Sequence, residues 1–179
     1  MIARAESGEV AAAVQLAQLY AAGDGMAKDP IKAALWLERA ARQGDPEAQY
    51  EYGMALREGR GTVQDDVRAL AWLQQAADAG NAKAQFELGR MYFSGAGTPV
   101  DKLKAYTWLN VAAAQAADGA AALRDVVRGQ LSAEEVVKAQ AEARRLSEIQ
   151  SEPRDKEPQR PGPGPSGPDS QPEKSDKGR

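Results

Sequence analysis

Six side chains suited to binding another molecule recur in pairs along the chain, each pair 36 residues after the one before. They are Gln15 and Gln18, Glu51 and Met54, and Glu87 and Arg90. Residues three apart share one face of a helix. Their amides, carboxylates, thioether and guanidinium offer the contacts that hold a peptide or a partner helix. The row therefore predicts partner-binding residues, with an ordinary solvated face as the alternative interpretation.

Catalytic chemistry has little support in this sequence. The chain contains no His and no Cys, which removes the usual general base, the thiolate nucleophile and the zinc-thiolate site. It also has no Ser-x-x-Lys and no Gly-x-Ser-x-Gly motif. The acidic pair Glu134–Glu135 stands at a helix start, where attraction to the helix dipole explains it. We predict a protein that is not an enzyme.

Three glycine-rich loops resemble ligand-binding loops only weakly. Their sequences are GDGMAKD, GRGTVQD and GAGTPVD. None is followed by the Gly-Lys-Ser/Thr of a phosphate-binding loop, and their acidic residues lack the alternating spacing of a calcium-binding loop. We therefore predict no cofactor and no bound metal, and interpret the loops as connections between helices.

The same spacing of 36 residues predicts the secondary structure that positions the six side chains. The three tryptophans of the chain are Trp36, Trp72 and Trp108. Glycine, aspartate and alanine keep the same register, at Gly8, Gly44 and Gly80; Gly23, Gly59 and Gly95; Asp29, Asp65 and Asp101; and Ala33, Ala69 and Ala105. A period near 36 is typical of stacked helix pairs, which present surfaces to other proteins more often than they form active sites.

Three units, 8–43, 44–79 and 80–115, have the pattern of two helices joined by a Gly-x-Gly loop. In each unit the first loop glycine is placed to end the first helix in a left-handed conformation, and the aspartate is placed as the N-cap of the second helix. The second helix then carries an apolar stripe of alanine, tryptophan and leucine. The predicted fold is an all-α solenoid of stacked antiparallel helix pairs.

The two ends of the chain depart from the repeat. Residues 1–7 have the pattern of the end of a second helix, which serves as a short cap unless the protein begins further upstream. Residues 116–150 predict a helical C-terminal cap, with Ser132 and Glu135 spaced as a capping box. Residues 151–179 are rich in proline and glycine, with no aromatic or aliphatic hydrophobe, and predict a disordered tail.

Net charge and hydropathy limit the classes of partner and the location that can be expected. The formal net charge is −3, which is too small to favour nucleic acid, so the expected partner is a protein or peptide. No stretch reaches the ~20 apolar residues of a membrane span. The opening MIARAESGEV is not a secretory signal, so the chain as given is expected to be cytoplasmic. It would be periplasmic or secreted if an upstream segment is missing.

The units 44–79 and 80–115 resemble the Sel-one-like repeat (SLR) family, a relative of the tetratricopeptide repeats. The resemblance rests on the run Ala-Gln-aromatic-x-apolar-Gly, the Gly-x-Gly loop, the following Asp and the Ala-x-x-Trp pair. In the first unit, Ala13 and Ala17 replace the Gln and Gly of this run.

The resemblance implies a right-handed superhelix with a concave face, used as a non-enzymatic adaptor or scaffold. Some family members were once named as β-lactam-binding or hydrolysing proteins, so this role is one alternative. A structural tether that acts through its tail is another.

Overall fold

The computed structural model describes residues 1–151, in which every regular element is a helix. The nine helices of this part are α1 (Ile2–Glu6), α2 (Val10–Ala22), α3 (Pro30–Arg42), α4 (Pro46–Glu58), α5 (Asp66–Asp78), α6 (Ala82–Ser94), α7 (Lys102–Ala114), α8 (Ala120–Arg128) and α9 (Ala133–Ser151). The predicted disordered tail, 151–179, lies outside the described residues except for Ser151, which ends α9.

Helices α2 to α7 form three pairs that stack in chain order. Each first helix (α2, α4, α6) packs against the second helix that follows it (α3, α5, α7), and each of α3 and α5 also packs against the first helix of the next pair. Helix α1 packs on α2, while α8 and α9 both pack on α7. The predicted all-α solenoid is confirmed.

The helix boundaries lie where the capping residues of the sequence place them. The side chain of Asp29 accepts a hydrogen bond from the backbone N–H of Lys32 at 3.0 Å. Equivalent caps, each accepting from the residue three positions on, are formed by Asp45, Asp65, Asn81 and Asp101. A cap of this kind contributes ~1 kcal/mol by satisfying a free N–H of the first turn. The predicted left-handed ends at Gly23, Gly59 and Gly95 and the capping box of Ser132 and Glu135 are also present.

A continuous apolar core runs through the stacked pairs. Leu16, Tyr52 and Leu88 occupy the same position in the three first helices, and each is at most 3 % exposed. Small buried side chains accompany these large ones and let neighbouring helices approach, at Ala12, Ala48, Ala84, Ala40, Ala76 and Ala112. Two of the three repeated tryptophans, Trp72 and Trp108, are buried, whereas Trp36 is half-buried.

Glutamine side chains connect one layer to the next. Gln49 Nε2 donates a hydrogen bond to the carbonyl of Ala41 in the preceding second helix, at 3.3 Å, and Gln85 repeats this contact to Ala77 at the same distance. Gln150 of α9 donates to Ala77 O at 2.9 Å and accepts from Gln85 Nε2 at 3.0 Å. The far end of α9 is therefore tied to the junction between the second and third pairs.

One residue has a backbone conformation that its side chain disfavours. Ala116 has φ 56°, and it stands in register with Gly8, Gly44 and Gly80, whose φ values are 93°, 86° and 92°. The Ala116→Gly variant is expected to be more stable by about 0.5–1 kcal/mol, because the left-handed conformation costs alanine more than glycine. The measurement is the urea midpoint of unfolding. Ala141→Gly, on the exposed face of α9, is the control and should instead lose about 1 kcal/mol.

Candidate partner-binding face

The six predicted contact residues lie at equivalent positions on the three first helices. Gln15 and Gln18 are on α2, Glu51 and Met54 on α4, and Glu87 and Arg90 on α6. We call this set the first-helix row. Gln15, Gln18 and Arg90 are exposed, and Glu51 and Met54 are half-buried, whereas Glu87 is only 6 % exposed. Five of the six side chains are therefore accessible to a partner, and the sixth is not.

Two shallow depressions open beside this row. One, of about 410 Å³, is lined by Met1, Gln15, Gln18, Leu19, Ala22 and Asp24. The other, of about 370 Å³, is lined by Met54, Arg57, Glu58, Gln64, Asp66, Arg90 and Ala96. Sites for small molecules usually enclose most of the ligand's surface, which these open depressions do not. Their form suits individual side chains of a larger partner.

Glu87, which the sequence predicts as a contact residue, is buried and paired within the chain. Its carboxylate forms an ion pair with Arg57, which reaches it from α4, and accepts a hydrogen bond from Arg90 Nη1 at 2.9 Å. The guanidinium of Arg90 also lies over the ring of Phe86, 5.8 Å from its centroid. Glu87 therefore fixes two arginines at the edge of the second depression. Sequence reasoning missed Arg57, because nothing in its position marks it as the partner of a residue in the next layer.

Glu51 occupies the same register as Glu87 on the preceding first helix but has different surroundings. Within residues 1–151 its carboxylate forms no hydrogen bond or ion pair. Burial raises the pKa of Glu51, and Arg60 acts in the opposite direction from a distance. Removing a carboxylate from water disfavours its charged form unless a cation or a donor compensates. Glu51 therefore remains a half-buried acid without a compensating neighbour in direct contact.

A second connection between first helices lies beside the row. Glu47 of α4 accepts hydrogen bonds from Lys83 Nζ and Asn81 Nδ2, both at 2.8 Å. Burial would raise the pKa of Glu47, but the contacts with Lys83 and Asn81 hold it below its usual value. The Lys83 ammonium also lies 5.5 Å from the ring centroid of Tyr50. The face between α4 and α6 is thus joined by internal pairs at both of its ends.

Neither a metal site nor a membrane span is found in the part of the chain that the structure describes. Among residues 1–151, no three His, Cys, Asp or Glu side chains come together in a way that could hold a metal ion. None of the helices in this range has the length and hydropathy needed to cross a bilayer.

Comparison with known proteins identifies the repeats. The sequence model of the Sel1 repeat matches three times, at residues 10–45, 46–81 and 82–116, which together make up more than half of the chain. A search of curated protein sequences found no match.

Solved structures of repeat proteins share the fold. A Sel1 repeat protein from Oxalobacter formigenes is 36% identical, with a TM-score of 0.64, over 69% of this chain and 92% of that one. A second similar structure is c5321, a protective antigen present in uropathogenic Escherichia coli strains that displays an SLR fold. It is 25% identical with a TM-score of 0.66, and the match covers 81% of this chain but 39% of that one. The three repeat matches and these structures show that the chain belongs to the Sel1 repeat family.

Proposed function

We propose that this protein is a non-enzymatic adaptor that holds a protein or peptide partner along the first-helix row. Sel1 repeats are in general protein-interaction scaffolds. The proposal extends this general role to a particular face of this chain. It also accounts for the two depressions beside the row, which are too open to enclose a small molecule but can each receive side chains of a bound segment.

The observation that carries the proposal is a contrast between two sets of positions in the same helices. Many positions that face the core keep their residue type from repeat to repeat, as at Ala12, Ala48 and Ala84. In the first-helix row, one position changes at every step, from Gln18 to Met54 to Arg90, and the other changes from Gln15 to Glu51. Five of the six side chains are accessible. Stacking explains the first set. Apart from Glu87, which is paired across the layers with Arg57, it places no requirement on the second set, so those residues are free to match a partner.

Replacing Glu51 and Arg90 together by alanine is expected to reduce partner capture at least tenfold in an affinity purification, because interface residues near the centre of a contact carry most of its energy. The stability of the variant should change by less than about 1 kcal/mol, since both side chains are at least partly in contact with solvent. The measurement is quantitative mass spectrometry of proteins retained by the immobilised chain.

A matched control is available on α9. Glu142 and Arg145 are an exposed ion pair with an N···O distance of 3.7 Å, away from the row. Their double alanine variant removes the same two charges and should leave capture unchanged. Equal capture by the wild type and the Glu51/Arg90 variant would contradict the proposal. If truncation after Ser151 abolished capture instead, the protein would be a tether that acts through its tail.

A further inference from the structure

Glu51 is the exception among the glutamates of the first helices α4 and α6. Glu47 is paired with Lys83, Glu58 with Arg60, and Glu87 with Arg57 and Arg90. Within residues 1–151 no cation contacts Glu51, although this side chain is half-buried and more shielded from water than Glu47 or Glu58. Glu51 is therefore less solvated than Glu47 and Glu58, yet in the described part of the chain it alone of the four has no cation in contact with it.

The repeat itself shows which group is missing. Arg57 stands in the last turn of α4, and its guanidinium reaches across one layer to Glu87 on α6. One repeat earlier, the same two positions are occupied by Ala21, in the last turn of α2, and by Glu51 on α4. The carboxylate is retained in this layer and the arginine is replaced by an exposed alanine. Where the next layer has a complete ion pair, the surface between α2 and α4 thus has a half-buried acid and an exposed alanine.

We propose that this surface binds a segment of a partner protein through an arginine, whose guanidinium contacts Glu51 as Arg57 contacts Glu87. The inference rests on the proposed function, and it names the chemistry of the partner. Arginine fits better than lysine because its planar group can donate two hydrogen bonds to one carboxylate and is more weakly hydrated, so it loses less on entering a half-buried site. Gln15 and Gln18 are exposed on α2 and offer amide groups to the rest of the segment.

The first test supplies the missing arginine from within the chain. In the Ala21→Arg variant the new side chain should pair with Glu51 and lower the pKa of its carboxyl, measured by NMR titration of the labelled glutamate carbon. Ala21→Gln is the control of similar length without charge, and it should leave that titration close to the wild type. An unchanged titration in Ala21→Arg would show that the two layers are not equivalent and would overturn the inference.

The second test uses a library of random displayed peptides selected against the immobilised full chain. Peptides selected by the wild type should be enriched in arginine. A synthesised peptide from this set should bind at least tenfold more weakly to both Glu51→Gln and Ala21→Arg, and with unchanged affinity to Ala21→Gln. Selected peptides without arginine enrichment, or with affinities insensitive to Glu51→Gln and Ala21→Arg, would overturn the inference and leave the adaptor function standing. Failure to select any peptide would count against both.

Discussion

Replacing Gly97 with alanine is expected to lower the free energy of unfolding by about 3 kcal/mol, through backbone strain and a steric clash together. Gly97 has φ 68°, which an alanine adopts only with strain. A Cβ at this position would also lie 2.6 Å from the carbonyl carbon of Asp66, and closer still to its oxygen. Asp66 is the first residue of α5, in the preceding repeat. Because the obstacle is backbone and not a flexible side chain, the loop and the neighbouring layer must move apart.

The corresponding glycine of the first repeat separates the two contributions. Gly25 also has φ 68°, but a Cβ there would meet no atom within 4 Å. Gly25→Ala should therefore lose only the ~1 kcal/mol of backbone strain. The difference of about 2 kcal/mol should appear in urea unfolding, and as a further loss of about 4–8 °C in Tm. Equal losses in the two variants would mean that close packing between layers contributes nothing at this loop.

These loop glycines show what the repeat could and could not predict from the sequence. Gly25, Gly61 and Gly97 are equivalent by spacing, and the sequence analysis assigned all three loops to the connection between helices. The spacing does not reveal how closely Gly61 and Gly97 approach the backbone of the preceding second helix. Local conformation follows from residue type. The distance between layers depends on side chains throughout the core, which no local pattern encodes.

In the first-helix row, too, the position of each residue could be predicted from the sequence, but its contacts with the next layer could not. The repeat spacing predicts all six residues on first helices in a common register, and the structure places them there. The spacing treats Glu51 and Glu87 alike, because both are glutamates at equivalent positions. Their surroundings differ because of the residue on the preceding first helix. Arg57 of α4 pairs with Glu87 of α6, whereas the equivalent residue for Glu51 is Ala21 of α2, which has no charge. To predict an ion pair between two first helices, one must know how far the helices are shifted relative to each other. The repeat spacing does not give this shift, and the three-dimensional structure does.

Replacing Trp72 with alanine is expected to cost about 4 kcal/mol, in the range observed when a fully buried aromatic side chain is removed. Trp72 is 1 % exposed, and its ring meets that of Tyr52 edge to face, with centroids 5.5 Å apart. Trp36, one repeat earlier, is half-buried, and the guanidinium of Arg39 lies 4.6 Å from its ring centroid. Since Trp36 buries less apolar surface, Trp36→Ala should cost only about 1–2 kcal/mol. Urea unfolding monitored by far-UV circular dichroism measures both losses, without relying on the fluorescence that the substitutions remove.

A third variant, Trp72→Phe, separates the stabilisation by ring packing from the cost of burying the indole N–H of Trp72. Among the residues described, the indole nitrogen of Trp72 is buried without a hydrogen-bond partner. An unsatisfied buried donor costs about 1–3 kcal/mol. Trp72→Phe removes this donor together with part of the ring, so its loss should be less than half that of Trp72→Ala. If the phenylalanine and alanine variants lost equal stability, ring packing would not be the main contribution. If Trp36→Ala cost as much as Trp72→Ala, the difference in burial between the two tryptophans would not determine their contributions to stability.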